Sequence, residues 1–186
     1  MFVENMIIGK TVSETINKIN VTHLVYLSSD AVYADSRKPL NEDSFCQPNS
    51  LHGAMHFSRE LFLKNINSSP VCHVRPTLIY GANDPHNGYG PNRFNKLAKS
   101  SKDIVLFGRG EEKRDHIHVR SVAELVSLVL LYKSKGVLNA ASGKVISFKE
   151  IAEIIIKKYG NISKISYTPR IGEMPHNGFR PFDTSE

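Results

Sequence analysis

Apolar positions along the chain fall into two spacings, and together these predict an alternation of strands and helices. Leu24 to Leu27 is an unbroken apolar run that ends abruptly in Ser28, Ser29 and Asp30. It predicts a buried strand whose carboxyl end carries two hydroxyls and a carboxylate. Upstream, Met6, Ile7, Val12, Ile16 and Ile19 are spaced for one face of a helix between Val3 and Ile19. Downstream, a polar loop holding Pro39, Asp43 and Pro48 leads to Asn49 and Ser50, either of which can cap a helix. Leu51, Ala54, Met55, Ser58, Leu61 and Phe62 would lie along one face of that helix. His52 and His56, four apart, would stack on a neighbouring face. Pro70 restarts the chain as a short strand through Pro76, which leaves through Thr77 to Gly81.

The second part of the chain continues the alternation. A short basic helix is expected at Arg93 to Ser100 and a strand at Ile104 to Phe107. Ser121 is expected to cap an amphipathic helix from Val122 to Tyr132. Gly136 to Ser142 reads as a buried strand, and Phe148 to Tyr159 as a helix closed by Gly160. Between them, residues 82 to 92 are dense in Gly, Pro and Asn. The segment PHNGYGP there recurs loosely as Pro175 to Pro181. Each Asn-Gly pair reads as a tight turn. The likeness is either coincident turn chemistry or a sign that both loops rim one cleft. The expected fold class is α/β, with ligands gathering outside the strand ends.

Composition narrows the function classes. At 186 residues, with 40% hydrophobic and 23% charged residues, the chain suits one globular domain, or one and a piece of another. No run of ~18 apolar residues exists, so no membrane span is expected. The start of the chain lacks the basic and apolar regions of a signal peptide, which points to the cytoplasm. Cys46 and Cys72 form no CxxC pair and read as free thiols in a reducing compartment. The net charge of +6 is spread along the chain, which argues against nucleic acid as partner. An anionic small substrate or a diffusely charged surface accounts for it.

SSDAVY, then P-N-S-L-H-G-A-M-H with Glu60 four residues on, resembles the extended short-chain dehydrogenases/reductases, the nucleotide-sugar epimerases and dehydratases. Their pattern is SS-x-x-VY followed by P-x-S-x-Y-G-x-S-K-x-x-x-E. By that resemblance Ser29 falls on the catalytic Ser/Thr, His52 on the catalytic Tyr and His56 on the catalytic Lys. Asp30 takes the dehydratases' acid position, or else caps a turn at the strand end. Asn5, followed by Gly9 and Thr11, matches the family's helix whose Asn joins the active site, or else caps its own helix. R-P-T-L-I-Y-G at 75–81 is similar to R-P-x-N-x-Y-G, which passes beside the nicotinamide, although Leu78 stands where many members place an Asn. R-D-x-I-H-V from Arg114 and R-x-G-E-x-P from Arg170 match segments whose arginines reach the nucleotide diphosphate. The resemblance therefore implies Ser28, His56, Pro76 and Thr77 beside NAD (or NADP), and Arg114, Arg170 and Asn92 on a nucleotide-sugar substrate. A homodimer is among the partners it admits.

Three readings of HxxxH remain open: an acid/base pair, remnants in a catalytically silent nucleotide-sugar or dinucleotide binding protein, and a zinc pair. The last lacks the Glu of metalloproteases and an evident third ligand. The expected organisation places 1–81 and 119–143 in a Rossmann-like dinucleotide-binding domain. Residues 82–118 and 144–186 form a substrate-binding part. None of the twelve glycines forms the glycine-rich turn that cradles a pyrophosphate, and the nearest candidate, Gly108-Arg-Gly110, runs into charges. The family pattern therefore leads to the expectation that this chain is the later part of a longer protein, with NAD held mainly by an earlier segment. On that reading the 186 residues alone bind NAD more weakly than about micromolar, a value that titration calorimetry measures directly. A micromolar dissociation constant would contradict the expectation.

Overall fold

The computed structural model describes residues 2–64, 66, 70–82, 84 and 88–185. Helix α1 (Phe2–Ile16) precedes strand β1 (Leu24–Leu27), and α2 (Leu51–Lys64) carries the chain over to β2 (Val71–Pro76). After β3 (Leu78–Tyr80) come α3 (Pro91–Lys99), β4 (Ile104–Phe107), β5 (Lys113–His118) and α4 (Val119–Tyr132). The rest comprises β6 (Gly136–Ala140), β7 (Val145–Ser147), α5 (Phe148–Lys158), β8 (Ile165–Thr168) and β9 (Phe179–Arg180). Strands β1, β2 and β6 form a parallel sheet in that order, with Leu24 opposite Val71 and Cys72 opposite Gly136. This is the α/β architecture with parallel strands that the alternation implied. No described helix is long and apolar enough to cross a membrane.

Helices α1 and α2 pack together, and α4 makes its own contacts with the same three strands. Cys72, Val74 and Ala140 of the sheet meet Val122 and Val129 of α4 in one buried cluster, with Ile117 of β5. A second cluster joins Phe94 and Ala98 of α3 to Ile104 and Leu106 of β4 and to Phe148, Ile151 and Ile155 of α5. Around it β4 and β8 pair in parallel, while β5 pairs with β3, β7 and β9.

Helix boundaries and faces depart from the sequence expectation at three places. Of the face expected for α1, Ile16 is buried, but Ile7 and Val12 are exposed, as is Ile19 beyond its end, and Gly9 is buried instead of them. The contact face was set by closeness of approach, since a Cβ on Gly9 would stand 3.1 Å from both Arg59 and Phe62 of α2. In α2, Leu51 and Leu61 are exposed, and the buried positions are Gly53, Glu60 and Leu63. Helix α4 begins at Val119, three residues earlier than expected, because the His118 ring accepts from Arg120 N and caps it. Strand β8 was not anticipated; its four residues carry too short a pattern to stand out without their partner β4.

Gly53 fixes where α2 sits. A Cβ there would lie 2.1 Å from Ala31 O and 2.9 Å from Pro48 Cβ. Gly53→Ala should therefore push α2 off the end of β1 and cost about 1–3 kcal/mol, the range for overpacking. Denaturant titration reads this as a lowered midpoint; an unchanged midpoint would show that the contact yields freely.

Candidate functional site

A cleft of about 520 Å³ opens where the parallel strands end. Ser28, Ser29 and Asp30 follow β1; Asn49, Ser50, His52 and His56 come from the start of α2. Pro76 to Ile79 leave β2, Arg114 comes from β5, and Pro175 and His176 from a tight turn near the end of the chain. Ser28 N continues the strand ladder onto Val74 O at 2.8 Å. The chain then turns through a short 3₁₀ segment, Asp30–Val32, capped by Ser29, whose Oγ accepts from Ala31 N at 3.2 Å. Because Gly53 rests on that turn, the first turns of α2 bring both imidazoles to the strand end.

Ionic contacts between buried groups set the floor. Arg180, only 1% exposed, donates from Nε to Asp30 Oδ2 at 2.8 Å and from Nη1 to Asp35 Oδ1 at 3.2 Å, and its Nη2 bonds Asp30 O. Arg114 Nη2 stands 3.9 Å from the same Asp30 oxygen, and its Nη1 donates to Glu112 Oε1 at 3.3 Å. Arg170 Nη2 donates to the other oxygen of Glu112 at 3.1 Å. Below, Arg75 makes a two-pronged pair with Glu60 at 2.9 and 2.6 Å and lies over the Tyr33 ring at 4.7 Å. Burial pushes the Glu60 carboxyl up, yet the hydrogen bonds and the charge of Arg75 hold it below the usual range. Asp115 accepts from Thr77 Oγ1, Ser142 N, Ser142 Oγ and Lys144 N, at 2.9 to 3.1 Å. The Thr77 hydroxyl proton is thus committed, and its free lone pairs can only accept.

The two histidines differ. His52 is exposed and meets His56 edge to face at 4.7 Å between ring centres. His56 is half-buried, with Nδ1 2.9 Å from the Tyr26 hydroxyl. Burial, then the neighbouring His52 and Arg59, push the His56 pKa down to about 4, with Glu60 opposing. His56 is therefore a neutral imidazole at pH 7. Among the described residues no three His, Cys, Asp or Glu side chains gather to hold a metal ion.

Ser28, Ser29, Asp30, His52, His56, Pro76, Thr77 and Arg114, singled out from the sequence, all line the cleft. Three others do not. Asn5 sits on α1 with its side chain held by Arg59. Asn92 accepts from Gly81 N at 3.0 Å and donates to Asp84 at 2.8 Å, bracing the loop after β3. Arg170 reaches the site's edge through Glu112. Of the two PHNG turns, Pro175 and His176 line the cleft, while residues 85–87 lie outside the described residues. Sequence reasoning missed Arg180, Glu112 and Tyr26. Arg180 lies 150 residues from Asp30, so no local pattern joins them. A second cleft of about 600 Å³, lined by Arg109, Lys113 and Lys149 among others, lies elsewhere on the surface.

Parallel strands with crossover helices and a polar cleft beyond their carboxyl ends define a Rossmann-like α/β protein. The chain belongs to the NAD dependent epimerase/dehydratase family, whose model matches residues 1–141. A Methanocaldococcus jannaschii protein with a provisional UDP-glucose 4-epimerase name is 28% identical over 170 residues, 87% of this chain and 55% of its own length. A UDP-N-acetylglucosamine 4-epimerase from Methanobrevibacter ruminantium, solved with UDP-N-acetylmuramic acid, superposes with a TM-score of 0.83 at 25% identity, covering 95% of this chain and 59% of that one. The Thermus thermophilus UDP-glucose 4-epimerase, solved with NAD, gives 0.81 at 20% identity over 96% of this chain and 61% of that one, a likeness of fold. The chain thus spans rather more than half the length of these relatives.

The neutral His56 has a measurable consequence. Its folded pKa lies below its ordinary 6.5, so between about 6.5 and 4 the unfolded chain binds the proton more readily. Stability is lost as pH falls through that window. His56→Gln keeps an acceptor for Tyr26 and removes this share of the loss. Denaturant midpoints at pH 7 and pH 4.5 should therefore fall less for the variant than for the parent; equal falls would contradict the assignment.

Proposed function

We propose that this chain acts on a nucleotide-linked sugar, with NAD as hydride carrier, as an epimerase or dehydratase whose proton-transfer group is His52. The observation that supports the reading is the convergence of Ser29, His52 and Arg114 on one cleft at the strand ends. The relatives' names, which refer to UDP-sugars and NAD, support the ligand classes. An imidazole exchanges a proton near neutral pH without the neighbouring ammonium that a tyrosine, with its reference pKa of about 10, requires. Ser29 Oγ already accepts from Ala31 N, so its O–H is left to donate to a sugar oxygen. Arg114 and Arg170 present planar forks suited to a diphosphate.

NAD, when bound, supplies the acceptor and donor of the hydride. Ser28, Pro76, Thr77 and His56 are the residues of this chain that would hold its nicotinamide end. They fit it in kind: Thr77 offers only acceptor lone pairs, suited to a carboxamide or hydroxyl donor. His56, with Nδ1 taken up by Tyr26, offers Nε2.

The rival reading is a silent binder of the same ligands. One observation favours it: where the resemblance implies a lysine, His56 is uncharged at neutral pH and supplies no fixed cation. Turnover separates the two. With millimolar NAD and a panel of UDP-sugars, product formation is followed by chromatography in a protein that carries this chain together with a dinucleotide-binding segment, since these 186 residues alone are expected to be inactive. His52→Ala should lower it by roughly 10²–10⁴-fold, the usual share of acid–base catalysis, with nucleotide affinity kept. The silent reading gives binding without product in the parent protein, and that result would displace the catalytic one.

A further inference from the structure

Arg114 and Arg170, fifty-six residues apart, meet on one carboxylate of their own chain. Glu112 is 4% exposed and gives one oxygen to each guanidinium, at 3.3 and 3.1 Å. Its backbone is fixed as well, since Glu112 O accepts from Phe148 N at 3.2 Å. The pair is not saturated by this contact. Arg170 Nε is buried without a hydrogen-bond partner among the described residues, and Arg114 also lines the cleft. A charged donor with spare capacity beside a held carboxylate suits a ligand oxygen arriving at a site already half neutralised.

We propose that Glu112 is a specificity-determining residue: it holds the two arginines in place and lowers the charge of their anion site from two to one. This rests on the reading that Arg114 and Arg170 receive a nucleotide diphosphate. A free nucleoside diphosphate carries roughly one more negative charge at neutral pH than a sugar-capped one, because its terminal phosphate has a second pKa near 6. That extra charge faces Glu112 across a partly desolvated site, where like charges repel strongly. The carboxylate therefore selects the sugar-capped ligand over the bare diphosphate, which is the form that would otherwise occupy the cleft unproductively. Asp30, 3.9 Å from Arg114, acts in the same sense.

Glu112→Gln tests this, because the amide oxygen still accepts from an arginine while the charge is gone. Affinities for UDP and for UDP-glucose are measured on the 186-residue chain by ligand-observed NMR up to millimolar concentration, with thermal melting as the check on folding. The variant should bind UDP at least about tenfold more tightly than the parent, and UDP-glucose with a smaller gain, so the preference for the capped ligand shrinks. Unchanged or weaker UDP binding overturns the proposal, as does no binding by the variant at millimolar ligand. Arg114→Gln separates the causes of failure. If it abolishes binding while Glu112→Gln changes nothing, only the role of Glu112 fails; if neither variant differs from the parent, the anion site itself is wrong. Should Glu112→Gln not fold, Glu112→Ser reads the same loss of charge.

Discussion

A guanidinium with 1% of its surface exposed ties the end of the described chain to the end of β1. A buried charge is tolerated only when it is paired and its remaining donors are satisfied. Arg180 meets that demand with the Asp30 carboxylate, the Asp35 carboxylate and main-chain oxygens of Asp30 and Tyr33. Those partners all lie on the turn that follows β1. The turn is therefore held from below by an ion pair and from above by α2, which reaches it through Gly53. One side of the cleft takes its position from this clamp: Ser29 caps the turn, the imidazoles of α2 lie beside it, and Arg114 stands near the same Asp30 oxygen.

The electrostatics of the site differ from the impression left by net charge. The chain carries +6 overall, which admitted either an anionic small substrate or a diffusely charged surface. Locally, Arg114, Arg170 and Arg180 are matched by Asp30, Asp35 and Glu112. The surplus positive charge lies on other surfaces; in the second cleft Arg109, Lys113 and Lys149 face Glu111 and Glu150 and leave an excess of one. An anion arriving at the strand ends would thus meet the donors that these pairs leave unsaturated, such as Arg170 Nε, beside carboxylates that stay in place.

Much of this was legible in the residues. The abrupt change from Leu27 to Ser28 marked the strand end, and the motif order singled out Ser29, His52, His56 and Thr77, which line one cleft because each lies within a few residues of a predictable boundary. Arg75 and Glu60 both stood in recognisable segments, yet their pairing depends on α2 crossing β2 and no spacing rule reports it. The outward turn of Ile7 and Val12 on α1 has the same origin. Apolar periodicity names a face, but the close approach permitted by Gly9 decided which face was buried. His118 as a helix cap was hidden by the more usual capper, Ser121, three residues later.

The central claim is that the strand-end cleft is where a nucleotide-sugar binds. Amide and imidazole chemical shifts followed during titration with UDP-glucose test it most directly. The account predicts shifts centred on Ser29, Asp30, His52, Thr77 and Arg114. Shifts centred on Arg109, Lys113, Lys149 and Tyr167, with those five residues unmoved, would contradict it and place the anion in the second cleft.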